Sequence, residues 1–312
     1  MYWEVLVQIS RWLRIDELAN ETMGLLHFGL IGYPLEHSYS PLLHQTALAK
    51  TNLAGDYKLF PVMPGPGANQ NLRDYVDLLT SGKLQGLNVT IPHKQTIIEI
   101  LDETTSLSNA IGAVNAVYLD QGQVIGHNFD APAFESELLS TGVGDRKNAL
   151  VLGAGGACRA VCYALLARGW QVQIAARRIT QIQAIQNQMS ANFGQNSVQP
   201  LDLSYESLEP NIKSVELIVN TTPLGMAPHL DISPWPTGLA FPKSAVLFDL
   251  IYNPAWTKLM EQASMSGLQC LNGSGMLVEQ AALSFELWTG VKAPRAAMHA
   301  ALERELTPKH EN

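Results

Sequence analysis

Apolar residues in this chain come in two spacings: short continuous runs, and stretches that repeat every three or four positions. Strands alternating with helices have this signature. Leu25 to Ile31 predicts a first strand, and the stretch from Pro41 to Lys50 a helix after it. Tyr57 to Val62 reads as a second strand, Met63 to Gly67 as a Pro/Gly-rich turn, and Leu72 to Thr80 as a second helix. A strand over Gly86 to Thr90 follows. Pro92 is placed to open another helix, since its missing N–H is no loss at the first helical position. Val114 to Tyr118 and Gln123 to Gly126 read as strands joined by a turn at Asp120 to Gly122.

A second unit begins near Lys147. Asn148 to Leu152 is a buried-strand pattern, Gly153 to Gly156 a tight turn, Ala157 to Arg168 a helix and Gln171 to Ala176 a strand, which together make a βαβ unit. Further strands are expected at Leu217–Asn220, Ala245–Asp249 and Leu268–Leu271, and a helical stretch from Met276 to Leu306. The alternation predicts an α/β protein of two domains, divided near Asn128 to Lys147, with the C-terminal helices packing back on the first domain.

The first 22 residues stand apart. Tyr2, Val5, Leu6, Ile9, Trp12 and Leu13 recur at helical spacing, with Glu4, Gln8 and Arg11 on the other face. A docking amphipathic helix and an extension upstream of a natural start at Met23 are both open readings, the second preferred because the first strand begins just after Met23. A secretory signal would need a basic start and a small-residue cleavage site, and neither is present.

The 312 residues, 46% hydrophobic and 15% charged, have the composition of a globular protein with a real core. A net charge of -8 argues against nucleic acid as a partner, so an anionic ligand would need a locally basic pocket. No apolar run reaches the length of a membrane span. Cys158, Cys162 and Cys270 read as free thiols in a reducing cytoplasm, with neither a disulfide framework nor a zinc set among them. His37, His44, His93 and His127 have no ligand spacing, so no metal is expected.

Gly153, Ala154, Gly155, Gly156 and Ala157 lie between a predicted strand and a predicted helix. Glycines there allow a tight turn and let backbone amides approach a pyrophosphate, whose charge the helix N-terminus favours. The end of the next strand selects the nucleotide. It reads Ala176, Arg177, Arg178, with no acid to accept from ribose hydroxyls. Two guanidinium groups suit a 2′-phosphate, so NADP is expected over NAD. A solvated basic turn is the plain alternative.

Three other segments gather polar groups near predicted element ends. Ser38 and Ser40 precede a helix, where hydroxyls and backbone amides together can hold a carboxylate, or where they can simply cap. Lys94 falls near the start of the helix expected after Pro92, and the helix dipole there would favour its neutral form and suit it to proton transfer. Asp130 lies where the chain crosses between domains, and is equally placed to cap the helix after it.

In combination these stretches are informative. Pro34-Leu-Glu-His-Ser38-Tyr-Ser40-Pro41, Asn88-Val-Thr-Ile-Pro-His-Lys94, Gly112-Ala-Val-Asn115, Gly153-Ala-Gly-Gly-Ala157, Asn220-Thr-Thr-Pro-Leu-Gly-Met226, Asp249-Leu-Ile-Tyr252-Asn-Pro254 and Gly275-Met-Leu277 with Gln280-Ala281 run in one order. In that order the chain resembles the shikimate dehydrogenase family from about Phe28 to near Leu302.

The resemblance implies a substrate-binding domain over 23–127 completed by helices in 276–312, a Rossmann-like NADP-binding domain over 128–275, and an N-terminal extension over 1–22. It implies reversible reduction of 3-dehydroshikimate to shikimate, on the route to chorismate and the aromatic amino acids, in a cytoplasmic monomer or homodimer. Lys94 and Asp130 would handle the proton. Ser38 and Ser40, helped by Tyr252, would hold the substrate carboxylate, while Thr90, Asn115 and Gln280 would bind ring hydroxyls. Thr221, Met226, Gly275 and the Gly153 to Ala157 turn would line the cofactor, and Ala176, Arg177 and Arg178 its 2′-phosphate end.

Some positions depart from the family pattern. Phe129 stands where a threonine is usual, Ala116 follows Asn115 in place of threonine, and Ala133 replaces a glycine; all three cluster around Asn115 and Asp130. A relative acting on quinate or an amino analogue is the alternative enzyme. A silent NADP- or shikimate-binding regulator is the alternative of another class, and loss of Lys94 or Asp130 would be its mark.

Overall fold

A computed structural model of the chain describes residues 24–140, 142–143 and 148–307; the expected N-terminal helix or extension lies outside them. The chain forms two compact units. The first comprises 24–104, 114–129 and 278–307, the second 105–113 and 130–277.

The first unit is built on a mixed sheet of β1 (Leu26–Gly32), β2 (Gly55–Pro61), β3 (Gly86–Val89), β4 (Glu103–Thr104), β5 (Ala116–Asp120) and β6 (Gln123–His127), in spatial order β2-β1-β3-β5-β6-β4. β1 runs parallel to β2 and β3, and β5 antiparallel to β3 and β6. Gln121 (φ 49°) and Gly122 (φ 84°) form the two-residue connection of the β5–β6 hairpin, whose end pair is Asp120 with Gln123. Both residues are left-handed, as the tight turn that matches strand twist requires. Ile31, Val89, Val117 and Val124 of the sheet share one core with Leu72, Val76 and Leu79 of the helix Ala68–Thr80. The helix Arg295–Leu306 packs on the helix Ser40–Lys50.

The expected C-terminal helices are Ser274–Thr289 and Arg295–Leu306, separated because Pro294 has no N–H to continue a helix. A guanidinium pins the break: Arg295 bonds the carboxylates of Glu279 and Glu286, and Glu286 also accepts from the N–H of Ala293. Burial opposes the charge on Arg295, but the hydrogen bonds and charges of the two glutamates outweigh it and hold its pKa above the ordinary value. One sequence expectation needs correction: no α-helix opens at Pro92. Residues 91–95 are turns, followed by the short 3₁₀ helix Thr96–Ile100. The carbonyl of Lys94 is taken by the N–H of Val114 at 2.8 Å, a long-range bond in place of the i+4 bond of an α-helix.

The second unit is a wholly parallel sheet of β7 (Asn148–Leu152), β8 (Gln171–Ala176), β9 (Val198–Asp202), β10 (Leu217–Asn220), β11 (Val246–Asp249) and β12 (Gln269–Leu271), in order β12-β11-β10-β7-β8-β9. Counted from β7 this is the 3-2-1-4-5-6 order of dinucleotide-binding folds, with its switch point between β7 and β10. The apolar runs of these strands reflect burial on both faces. Ala149, Val151, Val172, Ile174, Leu217, Val219, Val246 and Phe248 enter one core. Their neighbours Leu150, Leu152, Ala175, Ile218 and Leu247 enter the other. Each such buried Val, Leu, Ile or Phe side chain contributes roughly 1.5–3 kcal/mol.

Residues 105–113, within the stretch that the sequence boundaries gave to the first domain, cluster with the second unit. They carry the helix Ser106–Ile111, which packs on the helices Gly156–Ala167 and Ile179–Phe193. Gln188 fastens it by donating to the carbonyl of Asn109 at 2.5 Å.

Candidate active site

In the second unit the carboxyl ends of β7 and β10 meet at Gly153 and Thr221. The N–H of Gly153 donates to the carbonyl of Ala175, while the N–H and hydroxyl of Thr221 both donate to the carbonyl of Leu152 (2.9 and 2.7 Å). Gly153 has φ +105°, and a Cβ there would lie 2.7 Å from the Thr221 hydroxyl, so no other residue fits. At Gly155 the chain is ordinarily extended and a Cβ would meet nothing within 4 Å. Nothing in the protein requires that glycine; what it leaves is open approach to backbone amides at the head of the 12-residue helix Gly156–Ala167. Ala176 ends β8, buried, and Arg177 and Arg178 follow it with both side chains exposed. A pyrophosphate over Gly155 with a 2′-phosphate at the arginines matches this set of donors, so these residues fit NADP.

Met226 closes the loop after β10, half-buried, and Tyr252 stands on the turn after β11, also half-buried. Gly275 backs onto the carboxylate of Glu137, which fills the space a side chain would take. Asp130 is the first residue of the helix Asp130–Ser140 and is 4% exposed. A carboxylate is favoured in that first turn by the helix dipole. The helix is tied down by Arg168, which bonds Glu135 at 3.0 Å.

The first unit holds Ser38, Ser40, Thr90, Lys94, Asn115 and Gln280. Ser40 is the first residue of its helix and Tyr39 its N-cap, and no side-chain cap bond is made. Ser38 Oγ accepts only weakly from the N–H of Ser40, at 3.3 Å. The capping reading therefore holds only weakly for Ser38 and not for Ser40. Lys94 is half-buried and flanked by fixed points. His93 bonds the carbonyl of Val62 through Nε2 at 2.6 Å, and the Lys94 carbonyl is held by Val114. The helix field invoked for Lys94 has no α-helix behind it; the lysine sits on a braced turn instead.

Sequence reasoning missed Asn88. Buried on β3, it accepts from the Tyr57 hydroxyl (2.8 Å) and donates to the carbonyl of Asn115 (3.0 Å) and to Ser284 Oγ (2.9 Å); Ser284 in turn donates to the carbonyl of Gln280 (2.9 Å). The signal was present: Asn88 shares one strand face with Thr90, two residues on. The Phe129 departure is absorbed by packing. Its backbone N–H donates to Asn115 Oδ1 at 2.7 Å, a bond any residue there would make, and its ring sits edge-on against His127 at 4.3 Å. Ala116 and Ala133 are both fully buried core positions.

His44 lies between the rings of Tyr57 (4.2 Å) and Trp288 (5.4 Å), fully buried. Burial lowers its pKa to about 3, with Asn88 offsetting a small part. The neutral ring suits the fold at neutral pH. As pH falls below the ordinary histidine value, the unfolded chain takes up a proton that the folded chain refuses, so stability is lost down to about pH 3. His44→Phe keeps the stack and removes this term. Between about pH 7.5 and about pH 5, urea unfolding should show the wild type losing roughly 2 kcal/mol more than the variant; equal losses would mean that His44 is not held neutral.

The family follows from comparison with known proteins. A family model described as the shikimate dehydrogenase substrate binding domain matches residues 30–117, and one described as the shikimate 5′-dehydrogenase C-terminal domain matches 273–303. The shikimate dehydrogenase (NADP(+)) of Methanococcus maripaludis is 38% identical over 265 residues, covering 85% of this chain and 92% of its own. The chain belongs to the shikimate dehydrogenase family. Solved structures in its neighbourhood include the Thermus thermophilus shikimate 5-dehydrogenase in complex with NADP(H) and shikimate (TM-score 0.77, 32% identity, 90% of this chain and 99% of that one). A quinate dehydrogenase from Corynebacterium glutamicum in complex with NAD is also similar (TM-score 0.80, 28% identity, 90% and 99%). Among the described residues no helix is long and apolar enough to cross a membrane.

Proposed function

We propose that this chain is an NADP-dependent shikimate dehydrogenase, catalysing the reversible reduction of 3-dehydroshikimate to shikimate. The observation that carries the reading is the end of β8, where two exposed arginines stand in place of an acid in a chain 38% identical to a shikimate dehydrogenase (NADP(+)). NADPH supplies the hydride to the substrate's carbonyl carbon. Lys94 gives the proton that the new hydroxyl requires and takes it back in the reverse direction, with Asp130 beside the substrate hydroxyls. Ser38, Ser40 and Tyr252 hold the carboxylate, and Thr90, Asn115 and Gln280 the ring hydroxyls. A ligand lacking one of these hydroxyls would leave buried groups unpaired, which is how such a site discriminates. Gly153 to Ala157, Thr221, Met226 and Gly275 line the cofactor. The chain acts in the cytoplasm as a monomer or homodimer, with no nucleic-acid partner, serving chorismate and aromatic amino-acid synthesis.

The test is nicotinamide absorbance with purified protein, crossing shikimate and quinate against NADP and NAD. Rapid reduction with shikimate and NADP alone is expected. Preference for quinate would place the chain among the quinate enzymes of the family, with the Phe129 and Ala116 changes as the first suspects.

A further inference from the structure

Asp249 is a carboxylate with no solvent exposure at the carboxyl end of β11, next to β10. Burying such a charge is costly unless its oxygens are bonded, and the bonds of Oδ1 lead to two segments assigned above to ligands. Oδ1 accepts from Asn220 Nδ2 at 2.9 Å, which fixes the direction of that amide. Asn220 Oδ1 is thereby aimed at Thr222, accepting from its N–H at 3.0 Å and its hydroxyl at 2.7 Å, and Thr222 Oγ1 accepts from the N–H of Leu224. Those bonds shape the loop from Thr221 to Met226. Oδ1 also accepts from the N–H of Ile251 at 3.1 Å, immediately before Tyr252. Oδ2 accepts from the hydroxyl of Thr257 at 2.7 Å, and Thr257 caps the helix Lys258–Met265 through Met260. The ring closes sterically, because Gly225 of the loop rests on the side chains of Thr257 and Ile251. Burial raises the Asp249 pKa to about 6 against these donors, so above that value the fold keeps a charge it does not hold cheaply.

We propose that Asp249 is a positioning residue that locks the Thr221–Met226 loop and the turn carrying Tyr252 in register with each other, so that one buried carboxylate holds the loop assigned to the cofactor and the tyrosine assigned to the substrate carboxylate in fixed relation. This rests on the reading of the chain as a shikimate dehydrogenase. The arginines lie on another segment, and the phosphate-binding turn touches the loop through Gly153, which packs against Thr221 and Thr222.

Asp249→Leu removes every bond at once, Asp249→Asn keeps one acceptor in the same shape, and Thr222→Val removes a single bond at a half-buried position. Four readouts belong to each folded site and do not move when part of the sample unfolds: NADP+ Kd, emission of bound NADPH, KM for shikimate, and the isotope effect with deuterated NADPH. For Asp249→Leu the Kd should stay within about threefold, while bound NADPH emission shifts toward that of the free cofactor. KM should rise about tenfold, kcat fall about thirtyfold and the isotope effect grow, as sub-ångström misplacement predicts. Thr222→Val should move the same readouts in the same direction by less, and Asp249→Asn should stay near wild type. Unchanged emission, KM and isotope effect in Asp249→Leu, or in Thr222→Val if the leucine variant is insoluble, overturn the proposal and leave Asp249 a structural group. Wild-type turnover of shikimate is measured first. If it is absent the functional reading fails, and bound NADPH emission still decides the role of Asp249.

Discussion

Replacing Lys94 with alanine lowers kcat for shikimate oxidation by about a thousandfold, within the range for loss of a general acid–base group, and leaves NADP+ affinity within about twofold. The asymmetry comes from where the residues stand. Lys94 belongs to the first unit, on a turn braced by His93 and Val114, whereas the glycine turn and the arginines belong to the second. Removing a half-buried side chain from a turn held by backbone bonds does not unfold it. Stopped-flow absorbance for turnover and fluorescence titration for NADP+ separate the two effects. Near-normal turnover would sink the assignment of the proton to Lys94.

Changing Arg177 and Arg178 together to serine costs a comparable amount, in a different parameter. Each charge-assisted bond to a 2′-phosphate is worth roughly 1.5–3 kcal/mol, so kcat/KM with NADP should fall by about a hundredfold or more. With NAD, which lacks that phosphate, kcat/KM should change little, and the cofactor preference collapses. Because both guanidiniums are exposed, the wild-type preference for NADP should itself weaken as salt is raised. Equal losses with the two cofactors would mean that the arginines act on the fold of β8 and not on the phosphate.

The central strands of the second unit were legible almost residue by residue, and its edge strand and outer helices less so. Asn148–Leu152, Gln171–Ala176 and Leu217–Asn220 have the same bounds in sequence and structure, because their buried stretches are mainly apolar and polar or turn residues mark their ends. β9 escaped notice: Val198-Gln-Pro-Leu-Asp202 is an edge strand, half polar and interrupted by a proline. The helix Ile179–Phe193 was missed as well, having few charges and a weakly contrasted face. The helix expected at Pro92 failed for a reason local pattern does not contain, namely that Val114, distant in sequence, takes the carbonyl of Lys94.

Site residues were legible where chemistry is rare. Glycines beside a strand end, paired arginines and a lysine among polar neighbours stand out in a chain with only 20 Lys and Arg. Asn88 and Asp249 did not stand out as individual residues, since an Asn or Asp at a strand end usually signals a turn. Only the fold shows that both are buried and that each bonds three separate segments.

The first unit is discontinuous, and its closing bonds span most of the chain; Asn88 and Ser284 are 196 positions apart. During synthesis the strands of both sheets emerge before 278–307, but Asn88 must wait for that stretch to leave the ribosome before it meets Ser284, which also bonds the Gln280 carbonyl. A message truncated shortly before that stretch would yield a chain able to fold its nucleotide half and unable to complete the other. Such a chain would hold cofactor without turning it over, and its uncovered sheet face would mark it for chaperones and proteases.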